Sequence, residues 1–140
     1  FIKEVGLILA LLDKIQEVVL ISFGAILGAN TRFIIYNKLE KVNINKKSII
    51  LGINTFSSFL LGLVLSILSQ ISSLSYSYHL ALFFSIGLLG SLSTFSSFIY
   101  DLYDLFLQLK FYRALRLFII SLTSGILSFA IGIFVGMYKL

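Results

Sequence analysis

The chain is predicted to be an all-α membrane protein with four transmembrane helices, the third broken near Gly90 to Thr94. Two observations carry this. The 140 residues are 59% hydrophobic and 12% charged, with a mean hydropathy of +1.04, whereas a soluble domain carries about 25% charged residues. In addition, residues 90–98 (GSLSTFSSF) put five hydroxyl side chains and a helix-weakening glycine inside an apolar segment long enough to cross a bilayer. Every backbone N–H and C=O in hydrocarbon must be satisfied by the protein, so such a break is tolerated only where it is buried or lines a wet cavity.

In chain order, residues 1–12 are apolar but too short to span, and Asp13, Lys14, Gln16 and Glu17 interrupt them. The pattern predicts an interfacial N-terminal extension over 1–17 rather than a cleaved signal, because no small-residue cleavage site precedes the polar group. Four runs then meet the requirement of roughly 20 residues at ~1.5 Å each: 18–36, 49–68, 80–100 and 117–137. The chain has no proline, so all four are free to be continuous helices and any break must come from Gly, Ser and Thr. A basic loop (38–47), a Ser/Tyr loop (72–79) and an amphipathic stretch (101–116) connect them. These connectors are too short for a second domain, so 1–140 reads as one four-helix unit.

Composition narrows the chemistry. There is no Cys and one His, which removes disulfides, thiolate catalysis and the usual zinc sites and leaves no enzyme constellation. The formal charge of +5 is spread over short segments between apolar runs, which reads as membrane-flanking charge and not as a nucleic-acid face.

Within the spans lie Asn30, Arg32, Asn54, Thr55, the 91–97 hydroxyls, Ser121, Thr123, Ser124 and Ser128, and no Asp or Glu falls in an apolar core. Proton-coupled exporters hold a carboxylate at membrane depth, and cation channels use carboxylates or carbonyls. Amide and hydroxyl donors instead suit an anion that must leave again. Each Ser or Thr can equally bond a carbonyl of its own helix. Phe95 and Phe98, spaced i, i+3, share a helix face, and their positive ring edges can solvate a dehydrated anion; lipid contact is the other reading. Gly24 and Gly28 in the first run, and Ser124, Ser128, Gly132 and Gly136 in the fourth, are small-residue stripes that let helices approach closely, within a subunit or between two. Four helices can barely enclose a pore, so a conducting protein of this size is expected to oligomerise.

These residues resemble a family. Gly24-Ala25-x-x-Gly28-Ala29-x-x-Arg32-Phe33, then Asn54-x-x-Ser57-Ser58-Phe59-x-x-Gly62, then Gly87-x-x-Gly90-x-x-Ser93-Thr94-Phe95-Ser96-Ser97-Phe98 are similar in order and spacing to the Fluc (CrcB-type) fluoride channel family. The resemblance begins at Gly24 and implies an antiparallel dimer in the bilayer, two fluoride pores, and a structural Na⁺ on the two-fold axis. By motif position, Gly90 and Ser93 offer carbonyls to that Na⁺, and Phe95 and Phe98 form an aromatic box. Asn54 and Ser97 are pore donors, Arg32 lies near the vestibule, and Ser121 and Thr123 fall on a hydroxyl track. Ser93 stands for the usual Thr, Ser57 for Gly, Ile99 for Ser and Asp101 for Glu. The function implied is passive export of fluoride across the bacterial inner membrane. The competing classes are a small four-helix multidrug exporter, which needs a membrane-embedded Glu, and a non-transporting membrane assembly subunit, which leaves the 90–98 cluster unexplained.

Orientation follows the Lys/Arg bias of short loops. Lys3, Lys14 and Lys139 share one side, whereas Lys38, Lys41, Lys46, Lys47, Lys110, Arg113 and Arg116 share the other. This bias predicts that the first and third loops are cytoplasmic. The dimer partner is then either a second copy or an oppositely oriented homologous subunit.

Overall fold

The computed structural model describes residues 2–42, 44–71 and 76–138, and every element among the described residues is helical. Residues 72–75 of the second loop, Lys139 and the side chain of Lys3 lie outside the described residues. Helix α1 (Ile2–Glu40) runs unbroken for 39 residues, about 58 Å at ~1.5 Å per residue, against a hydrocarbon core of roughly 30 Å. Residues 2–17, expected as an interfacial N-terminal extension, are continuous with the first span in this one helix. Asp13, Lys14, Gln16 and Glu17 interrupt the hydropathy without interrupting the helix, because Lys, Gln and Glu are themselves good helix formers.

Helix α2 (Lys46–Gln70) starts where the Asn45 side chain accepts a hydrogen bond from the Lys47 N–H at 3.1 Å. The third span begins as a short α3 (Ser77–Ala81), widens into a π-helical segment (Leu82–Leu89), and closes with a single turn, α4 (Gly90–Leu92). After an interruption it resumes as α5 (Phe95–Leu107), followed by α6 (Phe111–Tyr138). The amphipathic stretch expected as a connector over 101–116 is mostly helix, and only residues 108–110 turn the chain. Leu109 takes the left-handed conformation (φ 55°) there, while the Lys110 N–H donates to the Leu105 carbonyl at 2.9 Å. This is the hydrogen-bonding geometry that usually places glycine after a helix. Four helical stretches, Glu4–Glu40, Lys46–Gln70, Ser77–Leu107 and Phe111–Tyr138, are long and apolar enough to span a membrane.

The spans pack as two close pairs, each made by glycine. Gly24 and Gly28 of α1 face the π-helical segment, where Gly87 answers them: a Cβ on Gly87 would lie 2.6 Å from the Ile21 carbonyl oxygen. A Cβ on Gly28 would collide with the Leu88 carbonyl and the Ser91 hydroxyl. In the other pair, Gly62 of α2 abuts the Phe129 carbonyl while Gly132 of α6 abuts that of Phe59. Of the two readings of these stripes, the structure shows them packing helices within one chain. Between the pairs, Ile49 and Ile53 of α2 meet Leu89 and Leu92 in the one buried apolar cluster found among the described residues. That cluster presses α2 against the end of α4, which fixes where Asn54 can reach.

Candidate functional site

The break falls on Ser93 (φ −70°, ψ 152°) and Thr94 (φ −134°, ψ 103°), both extended, near the middle of the 31-residue span Ser77–Leu107. Gly90, the expected weak point, keeps helical angles (φ −62°, ψ −34°). The lesion therefore lies at the far end of the window expected from the sequence. It is held open by polar side chains and not by glycine freedom.

Two backbone donors are diverted from the helix ladder. In a continuous helix the Thr94 N–H would donate to the Gly90 carbonyl, and the Ser97 N–H to the Ser93 carbonyl. Instead the Thr94 N–H donates to Asn54 Oδ1 at 2.8 Å, and the Ser97 N–H donates to Thr94 Oγ1 at 3.2 Å. Asn54 completes the clamp by donating from Nδ2 to the Thr94 carbonyl at 3.2 Å. Thr94, 5% exposed, thus serves as the N-cap of α5 while its own peptide group is paired across to α2. The carbonyls so released are those of Gly90 and Ser93, the pair the resemblance assigns to Na⁺. The Gly90 oxygen accepts only a long bond from Ser93 Oγ (3.3 Å), and Arg32 Nη1 lies 3.5 Å from the Ser93 oxygen, both weak geometries. Gly90 itself is exposed, and a Cβ there would meet nothing nearer than the Ser85 carbonyl at 3.6 Å.

Asn54 has two amide hydrogens and one is committed to Thr94, so a second remains for a ligand. Ser97 Oγ accepts from Thr94 Oγ1 at 2.8 Å, which leaves its own proton free to donate. Ser97 lines two clefts. One, of about 310 Å³, reaches Arg32, Tyr36 and Thr94 at the break; the other, of about 480 Å³, opens past Ser96 and Tyr36 toward Lys46 and Asp101. Arg32, Asn54, Thr94 and Ser97 are therefore brought together, and a polar track leads from them to the basic end of the molecule.

The aromatic residues lie elsewhere. Phe95 and Phe98 pack with ring centroids 6.2 Å apart, and Phe98 continues to Phe118 of α6 at 6.4 Å. Neither Phe95 nor Phe98 lines the two clefts, and Phe95 is 74% exposed on the outer face of α5. On α6, Ser121 offers its carbonyl to Ser124 Oγ, which also accepts from Thr55 of α2 at 3.2 Å. Thr123 is exposed and bonds back to the Ile119 carbonyl at 2.8 Å. Ser121 and Thr123 thus stand on different faces of α6 and join neither cleft. Sequence reasoning missed the cap and clamp role of Thr94, although a Thr three residues before Ser97 at a helix start is a capping pattern. It also missed Phe118, which no spacing within one helix could have tied to Phe98.

A four-span membrane protein with a side-chain-clamped break at membrane depth, flanked by hydroxyl, amide and aromatic groups, has the build of an ion-conducting protein rather than an enzyme. The chain belongs to the CrcB-like family: the model described as CrcB-like protein, Camphor Resistance (CrcB), matches residues 19–133. It is also 58% identical over 121 residues to the fluoride-specific ion channel FluC 2 of Prochlorococcus marinus (strain NATL2A), a match covering 86% of this chain and 98% of that protein. The N-terminal end of α1 lies outside the family match.

Proposed function

We propose that this protein is a fluoride channel that lets fluoride leave the cytoplasm passively, as one half of an antiparallel dimer. Family membership and the relative's description support the substrate. The observation that carries the mechanism is the clamp at the break, in which Thr94 holds Asn54 and Ser97 as preset neutral donors at membrane depth. Fluoride is small and strongly hydrated, so a pathway must replace its water with several closely spaced donors of modest strength.

The dimer follows from what one chain lacks. Ser97 faces the inner clefts, while Phe95 is exposed on another face of α5 and Phe98 packs half-buried against Phe118 of α6, so neither ring reaches those clefts. A single chain therefore cannot surround an ion with both, and a second, oppositely inserted chain supplies rings to its partner's donors. Na⁺ is suited to the Gly90 and Ser93 carbonyls, which are oxygen dipoles released from the helix ladder on an exposed face. Bound there, its charge would offset the dipoles that two facing breaks bring together. Replacing Na⁺ by a large organic cation is expected to weaken the dimer, whereas Ser93→Ala, which keeps the carbonyl, is expected to be mild.

Fluoride enters a cell as the neutral acid and dissociates inside, so a passive channel in the inner membrane suffices for export. Expression in a fluoride-sensitive bacterium is expected to lower steady-state cytoplasmic fluoride. Unchanged accumulation at full expression contradicts the proposal.

A further inference from the structure

The first and third loops, far apart in sequence, meet at the basic end of the molecule, where Lys47 Nζ lies 3.5 Å from Asp104 Oδ2. Beside that contact is a cavity of about 380 Å³ that shares no residue with the two clefts at the break. Its lining combines the polar Asn45, Lys47, Arg113 and Arg116 with the apolar Leu105, Leu117 and Ile120. Among the described residues, neither arginine has a carboxylate within 4.0 Å; the nearby acids, Asp104 and more distantly Asp101, both face Lys47. The first turns of α2 and α6 carry no acidic residue, so the positive ends of these helices add to the field of the three cations instead of offsetting it.

The depth of the cavity narrows the class of ligand. Arg116 immediately precedes the apolar run that starts at Leu117, and Lys47 precedes the run that starts at Ile49. The cations therefore sit at headgroup level, while Leu117 and Ile120, just inside the fourth span, sit where acyl chains begin. A channel vestibule needs water and polar walls throughout; the lining of this cavity is half cationic or polar and half apolar.

We propose that this cavity is a binding site for an anionic phospholipid, with the headgroup phosphate held by Arg113, Arg116 and Lys47 and an acyl chain lying along Leu105, Leu117 and Ile120. Guanidinium forks match phosphate oxygens bidentately, and basic pockets between spans are suited to anionic headgroups. Lys47 keeps Asp104 on its other side, so the two arginines supply most of the selectivity. The site is separate from the ion pathway, and the lipid anchors the loop end of α6 to α2.

The test is native mass spectrometry of the purified full chain exchanged with equimolar dioleoyl phosphatidylglycerol and dioleoyl phosphatidylcholine. Wild type is expected to retain phosphatidylglycerol preferentially, and R113Q/R116Q to lose at least about tenfold of that preference, while keeping wild-type fluoride efflux in phosphatidylcholine vesicles. R116Q alone, the milder variant, is expected to lose part of the preference. K110Q, in the same loop but outside the cavity, is expected to lose none. Equal retention of the two lipids by wild type, unchanged preference in R113Q/R116Q, or an equal loss in K110Q overturns the proposal. Displacement of phosphatidylglycerol by excess inorganic phosphate also overturns it, because the site would then be for phosphate and not for lipid.

Discussion

Asn54 and Thr94 exchange two hydrogen bonds between side chain and backbone, 2.8 Å from the Thr94 N–H and 3.2 Å to the Thr94 carbonyl. An amide side chain here imitates the peptide partner that a broken helix has lost. Removing it leaves two buried backbone groups unpaired at membrane depth, each worth about 1–3 kcal/mol. Asn54→Ala is therefore expected to lower the thermal unfolding midpoint and abolish fluoride efflux together. Asn54→Asp keeps the acceptor for the Thr94 N–H but removes the donor and adds negative charge beside the anion. It is expected to fold better than Asn54→Ala and still not conduct. Thermal unfolding in detergent and vesicle efflux, measured on both variants, check the pair.

Phe95 and Phe98 form one tilted aromatic pair that ends on Phe118. If ring edges solvate the ion, Phe95→Ile and Phe98→Ile keep apolar bulk but remove the quadrupole, and each is expected to lose transport while the dimer stays folded. Size-exclusion profiles with efflux rates measure this, and unchanged efflux in both variants removes the aromatic pathway.

Gly28 and Gly90 are expected to respond oppositely to alanine. A methyl at Gly28 collides with the backbone of the neighbouring segment inside the same chain, an overpacking that costs about 1–3 kcal/mol. A methyl at Gly90 has room in the single chain, so Gly90→Ala is expected to leave the subunit fold intact. Any loss of dimer or of flux in Gly90→Ala then comes from a second chain at that face. Unfolding midpoints set beside dimer fractions from cross-linking separate the two effects.

The seven basic residues of the first and third loops face three on the opposite side, and the structure brings those two loops together through Lys47 and Asp104. Reporter fusions at both termini are expected to show one favoured insertion, with these loops cytoplasmic. Comparable signal from both faces would instead mean that a single chain supplies both halves of an antiparallel homodimer.

Much of this architecture was legible in the sequence, and the reason is physical. Each span is a run of apolar residues near the bilayer thickness, and hydrocarbon enforces helix along it. The 90–98 cluster also marked the break over Gly90 to Thr94 and its Gly, Ser and Thr chemistry, and within that window it is Thr94 and not Gly90 that opens the chain. Gly90 stays helical and exposed, while Thr94 opens the chain because Asn54, 40 positions away, competes for its N–H. No local pattern reports such a competitor. The π-helical segment Leu82–Leu89 was equally hidden, since its residues (LFFSIGLL) are compatible with any buried helix. Continuity of α1 through Asp13–Glu17 is not marked by hydropathy, which drops at these polar residues while the helix runs on. The separation of Phe95 from Ser97 follows from their spacing on α5, two residues or about 200° apart on a helix. Which face met the clefts and which met the outside needed the packing of α2 and α6.

The central claim is that neutral donors at a clamped helix break carry fluoride down its gradient. The most direct measurement is ion efflux from vesicles containing the purified chain, read with fluoride and chloride electrodes at matched gradients and with no proton gradient imposed. The account expects rapid fluoride release, negligible chloride release, and loss of the fluoride signal in Asn54→Ala. Chloride efflux at a comparable rate, or fluoride release only when a proton gradient drives it, would contradict it.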